Sequence, residues 1–255
     1  MKKICYILCV TVFFTACSKG DVFENTNGTK LITIDFNDSN KAIDSWVISF
    51  SYNEQGAINK IEELYAFGNR YEIEYNEGIL QEYKTFNINV DRVAARDSVA
   101  YNQNGTIRAI YNFTADLTED LVLTRIFEFE YSNQNRISEK KSYSVNKGEF
   151  ESTERYFWNN KNIESSQYYD SNEKLSYEIF YKYDNQINYK KNIPIYISDP
   201  INQTTNNITW HGFNDYTGAI DLSCYSCETE YSYNRDGYPT SIRYDWGTQL
   251  RLRYE

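Results

Sequence analysis

The residues able to do chemistry in this chain are few. Of its five cysteines and single histidine, two cysteines make one CxxC, Cys224-Tyr225-Ser226-Cys227. Such a pair can be a redox motif, half of a zinc site or a local disulfide. Redox activity wants the motif at a helix N-terminus, which lowers the thiol pKa, and no helix is expected there. A closed zinc site wants four ligands, and the other soft donor is the lone His211, in Thr209-Trp210-His211-Gly212-Phe213. In an oxidising compartment the pair reads as a disulfide between Cys224 and Cys227. The chain must then turn at Tyr225–Ser226, because residues three apart on a straight strand face opposite ways. No metal or cofactor is expected.

His211 would also have to carry any Ser–His mechanism, and no nucleophile motif such as GxSxG accompanies it. The 36 Asp and Glu residues could supply an acid–base pair for glycoside hydrolysis, but they are strewn along the chain and no pair stands out. The expectation is therefore a non-catalytic binding or structural module; a glycan or envelope-polymer hydrolase using a carboxylate pair is the alternative. Trp158 and Trp210 are candidate aromatic contacts for a glycan or protein ligand, set against the general rule that alternating aromatics in a sheet form core. Asp97-Ser98-Val99 resembles the Asp-Ser/Thr-aliphatic acceptor used for O-glycosylation by some Bacteroidota, which marks Ser98.

The N-terminus carries the most specific signal. Met1-Lys2-Lys3 is basic, and Ile4 to Phe14 is an apolar run of 11 residues, short of the about 20 that span a bilayer. Thr15 and Ala16 then precede Cys17, which resembles the lipobox of bacterial lipoproteins, with Phe14 where Leu is usual. Residues 1–16 are expected to be a signal peptide, Cys17 the lipid attachment site, 17–29 a tether and 30–255 one domain. The start of the tether, Ser18-Lys19-Gly20-Asp21-Val22-Phe23-Glu24, weakly resembles acidic export signals of Bacteroidota surface lipoproteins. The expected location is the cell envelope, as an outer-membrane lipoprotein that is periplasm-facing or surface-exposed. Cleavage would remove Lys2 and Lys3, so the 26 basic residues become 24 against 36 acidic ones, a net charge of −12. Such a surface repels phosphate backbones, so nucleic acid is not an expected partner; the membrane would be reached through the lipid.

The elements that must position these residues show themselves by repetition. Trp46, Ile48, Phe50 and Tyr52 alternate with small residues, which puts four large side chains on one strand face. Asn53 and Gly56 follow, and both tolerate the positive φ of a tight reversal. The pattern returns before Asn76–Gly78, Asn102–Gly105, Asn133–Asn135, Asn159–Asn162, Asp184–Asn185 and Asn234–Gly237. The aromatics that precede the turns are Tyr52, Tyr75, Tyr101, Tyr131, Trp158, Tyr183 and Tyr233. The last gap is about twice the others, which predicts a degenerate or replaced unit between 190 and 225. Isolated hairpins are marginal in water, so the units must pair into one sheet with an aromatic face and a carboxylate-rich face. The predicted fold is all-β: an antiparallel meander of repeated hairpins curling into a barrel-like or half-barrel sheet. Lipid-facing strands need about 10 residues and an aliphatic outer band. The strands here are expected to be shorter and rich in tyrosine, which argues against a membrane-spanning barrel.

The hairpin units are similar to degenerate YD or RHS-type repeats. With its closing "YNRDGYPTSIRYDWGTQLRLRYE" (233–255), the chain resembles uncharacterised Bacteroidota lipoproteins described as having a porin-like β fold. The resemblance implies an extracytoplasmic β domain without known catalytic residues.

Overall fold

The computed structural model describes residues 29–38, 46–64, 68–217 and 226–255. Among these residues are sixteen strands, each antiparallel to its neighbours in sequence. The first pairs with the last, so the sheet closes into a barrel. The first eight are β1 (Leu31–Asp38), β2 (Val47–Tyr52), β3 (Ile58–Leu64), β4 (Asn69–Asn76), β5 (Ile79–Asn87), β6 (Arg92–Tyr101), β7 (Ile107–Ala115) and β8 (Leu121–Tyr131). The rest are β9 (Ile137–Ser144), β10 (Glu149–Asn159), β11 (Asn162–Tyr169), β12 (Leu175–Ile187), β13 (Asn206–Asp215), β14 (Ser226–Tyr233), β15 (Pro239–Tyr244) and β16 (Thr248–Tyr254). Closure runs from Leu31 opposite Tyr254 to Asp38 opposite Thr248, and an Arg253–Asp35 ion pair at 2.8 Å spans the seam. The half-barrel alternative is therefore resolved in favour of full closure, which removes both sheet edges.

The expected turns form where Asn and Gly stand. Gly56, Gly78, Gly105 and Gly237 all take φ between 80° and 84°, the left-handed region that costs glycine nothing. At each pre-turn aromatic the ladder slips: between Ser51 and Tyr52, Glu74 and Tyr75, Ala100 and Tyr101, Glu130 and Tyr131, Phe157 and Trp158. A bulge shifts the side-chain parity of a strand by one residue. It explains why the returning arm carries apolar residues three apart: Ile58 with Ile61, Leu80 with Tyr83 and Ile107 with Ile110 all reach the interior.

The pre-turn aromatics do more than fill space. Tyr52 donates its hydroxyl hydrogen to the carbonyl of Leu31, Tyr75 to Ile58, Tyr101 to Leu80 and Tyr183 to Ile163, each at 2.8 Å; the Trp158 indole N–H donates to Ile137 at 2.7 Å. Each bond ties the end of one hairpin to the start of the strand beside it. Burial pushes the Tyr52 phenol up to about 12 and those of Tyr75 and Tyr183 higher still.

One expected turn does not form. β12 continues through Asp184–Asn185 to Ile187, and Asp184 is held in place by accepting bonds from the backbone of Gln186 and Asn207. The chain then enters an insertion, 188–205, with two 3-10 turns at Pro194–Tyr196 and Pro200–Gln203. This is the replaced unit. Ile193, Ile197, Pro194 and Pro200 are buried in the core, so the insertion stoppers the barrel at the end where the tight turns lie. The Asn188 side chain holds it closed by donating to the carbonyls of Asn202 and Thr204.

The outer wall is charged. Lys84 lies between Glu74 and Glu82, Lys141 between Glu130 and Glu139, and Arg155 on Glu139. Outward rings are covered by cations, Arg70 over Phe86 at 4.3 Å and Arg96 over Phe113 at 4.2 Å. Strand length alone would not exclude a membrane span, since β6, β8, β10, β12 and β13 reach 10 to 13 residues, longer than the sequence suggested. The ion-pair ladders do oppose it, because a lipid-facing wall carries an apolar band.

Candidate functional site

At the stoppered end the interior is mainly aliphatic and aromatic, with Asn188, Asn202 and Thr204 the buried polar groups of the insertion. On the β8–β12 side it changes character. Cross-strand register places Phe129, Lys140, Glu154, Tyr168 and Tyr177 in one inward row, each directly opposite the next. A second row, Tyr156, Ser166 and Ile179, lies deeper. All of these but Phe129, together with Ser198 and Asp199 from the insertion, line a cavity of about 350 Å³. The insertion forms its floor. Its mouth lies at the rim opposite the tight turns, because Tyr168 and Tyr177 flank the 170–174 connection.

The polar groups inside are organised. Lys140 Nζ meets Glu154 Oε1 at 2.6 Å, with the two side chains 13% and 27% exposed, and lies 5.7 Å from the centre of the Phe127 ring. Tyr156 donates to the other Glu154 oxygen at 2.6 Å, and the Ser166 and Tyr181 hydroxyls lie 3.0 Å apart. Asp199 caps the second 3-10 turn, accepting from the Ile201 backbone N–H and the Asn202 amide. Burial raises its carboxyl above the ordinary value, with Lys140 pulling it down and Glu154 pushing it up. At the mouth, the Tyr168 and Tyr177 rings stack 4.7 Å apart and nearly parallel. Burial lifts the Tyr177 phenol to about 12.

Sequence reasoning singled out none of these residues, although a signal existed. With the repeats aligned on their turns, Lys140 falls where Ile61, Ile110 and Ile242 stand in other units, and Glu154 where Ile48, Phe127 and Ile179 stand. Asp97 takes the same place as Glu154 in its own repeat, but it is buried and bound by the Asn112 amide at 3.0 Å. Glu154, held by Lys140 and Tyr156, instead lines the cavity. Polar residues at core positions of a repeat mark where the packing rule yields to something else.

The residues the sequence did point to lie elsewhere. Trp158 is a half-buried clamp at the stoppered end. Trp210 is on the outer wall with Lys182 4.6 Å above its ring, and its indole lies so close over Gly212 that a Cβ there would sit 2.5 Å from it. Ser98 is half-buried on β6, between Glu82 and Tyr111. His211 and the buried Cys227 are direct cross-strand partners on β13 and β14, and burial lowers the His211 pKa despite the Asp245 carboxylate nearby. Cys224 and Cys17 lie outside the described residues, as does the signal segment 1–16.

No protein-family model matches the chain, and no curated protein matches it. Among solved structures, a porin-like protein from Bacteroides uniformis ATCC 8492 superposes with a TM-score of 0.57 at 11% identity, covering 88% of this chain and 96% of that one. A porin-like protein from Bacteroides vulgatus ATCC 8482 gives 0.56 at 12% identity, covering 88% and 98%. The chain shares their fold.

Proposed function

We propose that this chain is a non-catalytic lipoprotein of the cell envelope whose barrel presents its cup as a binding site. The stoppered, polar-lined cup carries this reading: a module built only to fill space would keep apolar residues at positions 140 and 154, where Ile61, Ile110 and Ile242, and Ile48, Phe127 and Ile179, stand in other units. The lipobox-like segment ending at Cys17 supports the anchor, and the fold shared with two Bacteroides proteins is in keeping with it. Strand β1 starts at the stoppered end, so a lipid on Cys17 followed by a tether over 17–29, at most about 45 Å long, would hold that end toward the membrane. The cup would open away from it, either into the periplasm or outside the cell. In that compartment Cys224 and Cys227 would be oxidised to a disulfide, and Ser98 would be available to envelope glycosylation.

Mass spectrometry of the mature N-terminus from a membrane fraction tests the anchor: a diacylglycerol on Cys17 is expected, and a product cleaved elsewhere overturns it. For the cup, a chemically mixed fragment library is screened by ligand-observed NMR. Hits lost in Tyr177→Ala are expected, and a cup that binds nothing overturns the reading.

Hydrolysis is the second reading. It is favoured by one observation, that Glu154 and Asp199 line the same cavity with Asp199 shifted toward its acid form. Release of reducing ends from envelope polysaccharides, lost in Glu154→Gln, would establish it.

A further inference from the structure

Five features of the cup bear on what it holds. It contains a cation and two carboxylates within one small space, Lys140, Glu154 and Asp199. It has hydroxyl groups, Tyr156, Ser166 and Tyr181, that can donate or accept. At its mouth two flat rings are stacked nearly parallel, 4.7 Å apart. Its volume of about 350 Å³ is at the low end of small-molecule sites. The protein around it is acidic, with a net charge of −10.

These features exclude ligand classes in turn. An anion such as a phosphate would meet Glu154 and Asp199 and a negative surface, with one lysine already paired to oppose them. A cationic amine would have to share those carboxylates with Lys140. A wholly apolar ligand would bury the Lys140–Glu154 pair without offering it a hydrogen bond, which costs more than the contact returns. A peptide strand would need a free sheet edge, and the closed barrel has none. What remains is a neutral, compact molecule with many hydroxyls around its edge and an apolar face. The hydroxyls can donate to carboxylate oxygens and accept from the ammonium group, and the face can lie on a tyrosine ring.

Resting on the reading of the cup as a binding site, we infer that its ligand is a neutral pyranose, the terminal sugar of a glycan, with its hydroxyls on the Lys140–Glu154 pair and Asp199 and its ring on Tyr177. The placement follows from the rows. Glu154 and Lys140 lie next to Tyr168 and Tyr177 in register, so a ring against the tyrosines brings edge hydroxyls to the charged pair. The depth admits a chain end, because the insertion closes the other side.

The experiment titrates the purified full chain with D-glucose, D-galactose, D-mannose and N-acetyl-D-glucosamine, followed by calorimetry and saturation-transfer NMR. Sodium D-glucuronate and D-glucosamine serve as the charged comparisons. At least one neutral sugar should bind saturably below about 10 mM, more tightly than either charged analogue. Tyr177→Ala and Lys140→Met should each weaken it about tenfold or more, while Leu117→Ser at the exposed rim leaves it unchanged. Tyr177 is partly exposed at the mouth, so its removal spares the fold; far-UV circular dichroism verifies that for both variants. Preference for a charged sugar, or binding indifferent to both cup variants, overturns the inference. If fragments of another class occupy the cup and no neutral sugar does, the sugar is wrong and the binding cup stands. Silence from sugars and fragments alike removes both.

Discussion

The two ends of the barrel are built from one repeat and differ in almost every physical respect. At the stoppered end, hydroxyl-to-carbonyl clamps and the buried insertion lock each hairpin to its neighbour. At the opposite rim the connections carry exposed apolar tips, among them Leu64, Leu117 and Trp246, and the interior opens into the cup. Stability is therefore concentrated at one end, and the polar interior is at the other. The contrast resembles a common division of labour, in which rigid packing positions a site that could not itself stabilise the fold.

The comparison can be broken most sharply by truncating one apolar residue at each end. Ile193→Ala in the stopper, where the side chain is 2% exposed, should cost about 2–5 kcal/mol in chemical denaturation. Leu117→Ala at the rim, fully exposed, should stay within about 0.5 kcal/mol. Similar losses at both positions would end the idea of a stabilised end and a tolerant one.

Two smaller effects probe the locked end. Gly105 has φ +84°, so Gly105→Val should cost about 1 kcal/mol or more, read from the denaturation midpoint. Tyr75→Phe keeps the ring and removes only the hydrogen bond to the Ile58 carbonyl, which should cost about 1 kcal/mol. An unchanged midpoint would mean that the clamp contributes packing alone.

The smallest effect belongs to the cup floor. Burial holds the Asp199 carboxyl above its ordinary 3.8. In the pH window just above 3.8 the folded protein therefore keeps a proton that the unfolded chain has lost. The stability contributed by this group is present in acid and falls as pH rises through that window. Asp199→Asn, which keeps a capping side chain, should raise the melting temperature slightly at neutral pH, with the gain shrinking toward pH 4. A gain that grows on acidification would reverse the assigned shift.

Much of the barrel is written locally. Alternation in Ile48, Phe50 and Tyr52 defines a strand face, Asn53 and Gly56 permit the reversal, and both act within a few residues of themselves, so most of the hairpins could be read directly. The break between Tyr183 and Tyr233 likewise signalled the replaced unit. The bulges were not legible, because each is a slip between two strands and so belongs to the pairing. Without them Ile137 and Lys140, three residues apart, read as facing opposite sides, and Lys140 looks like one more solvated lysine. Nor could the spacing of the pattern say whether the sheet closes, since closure depends on β1 meeting β16 more than two hundred residues later. The cup needed all of this at once: the bulge that turns Lys140 inward, the register that sets it beside Glu154, and an insertion that brings Asp199 beneath them. Sequence alone determined the unit and its repetition, because φ preference and side-chain alternation are local forces. Only the tertiary structure decided which polar residues share an interior, because that depends on register accumulated around a closed sheet.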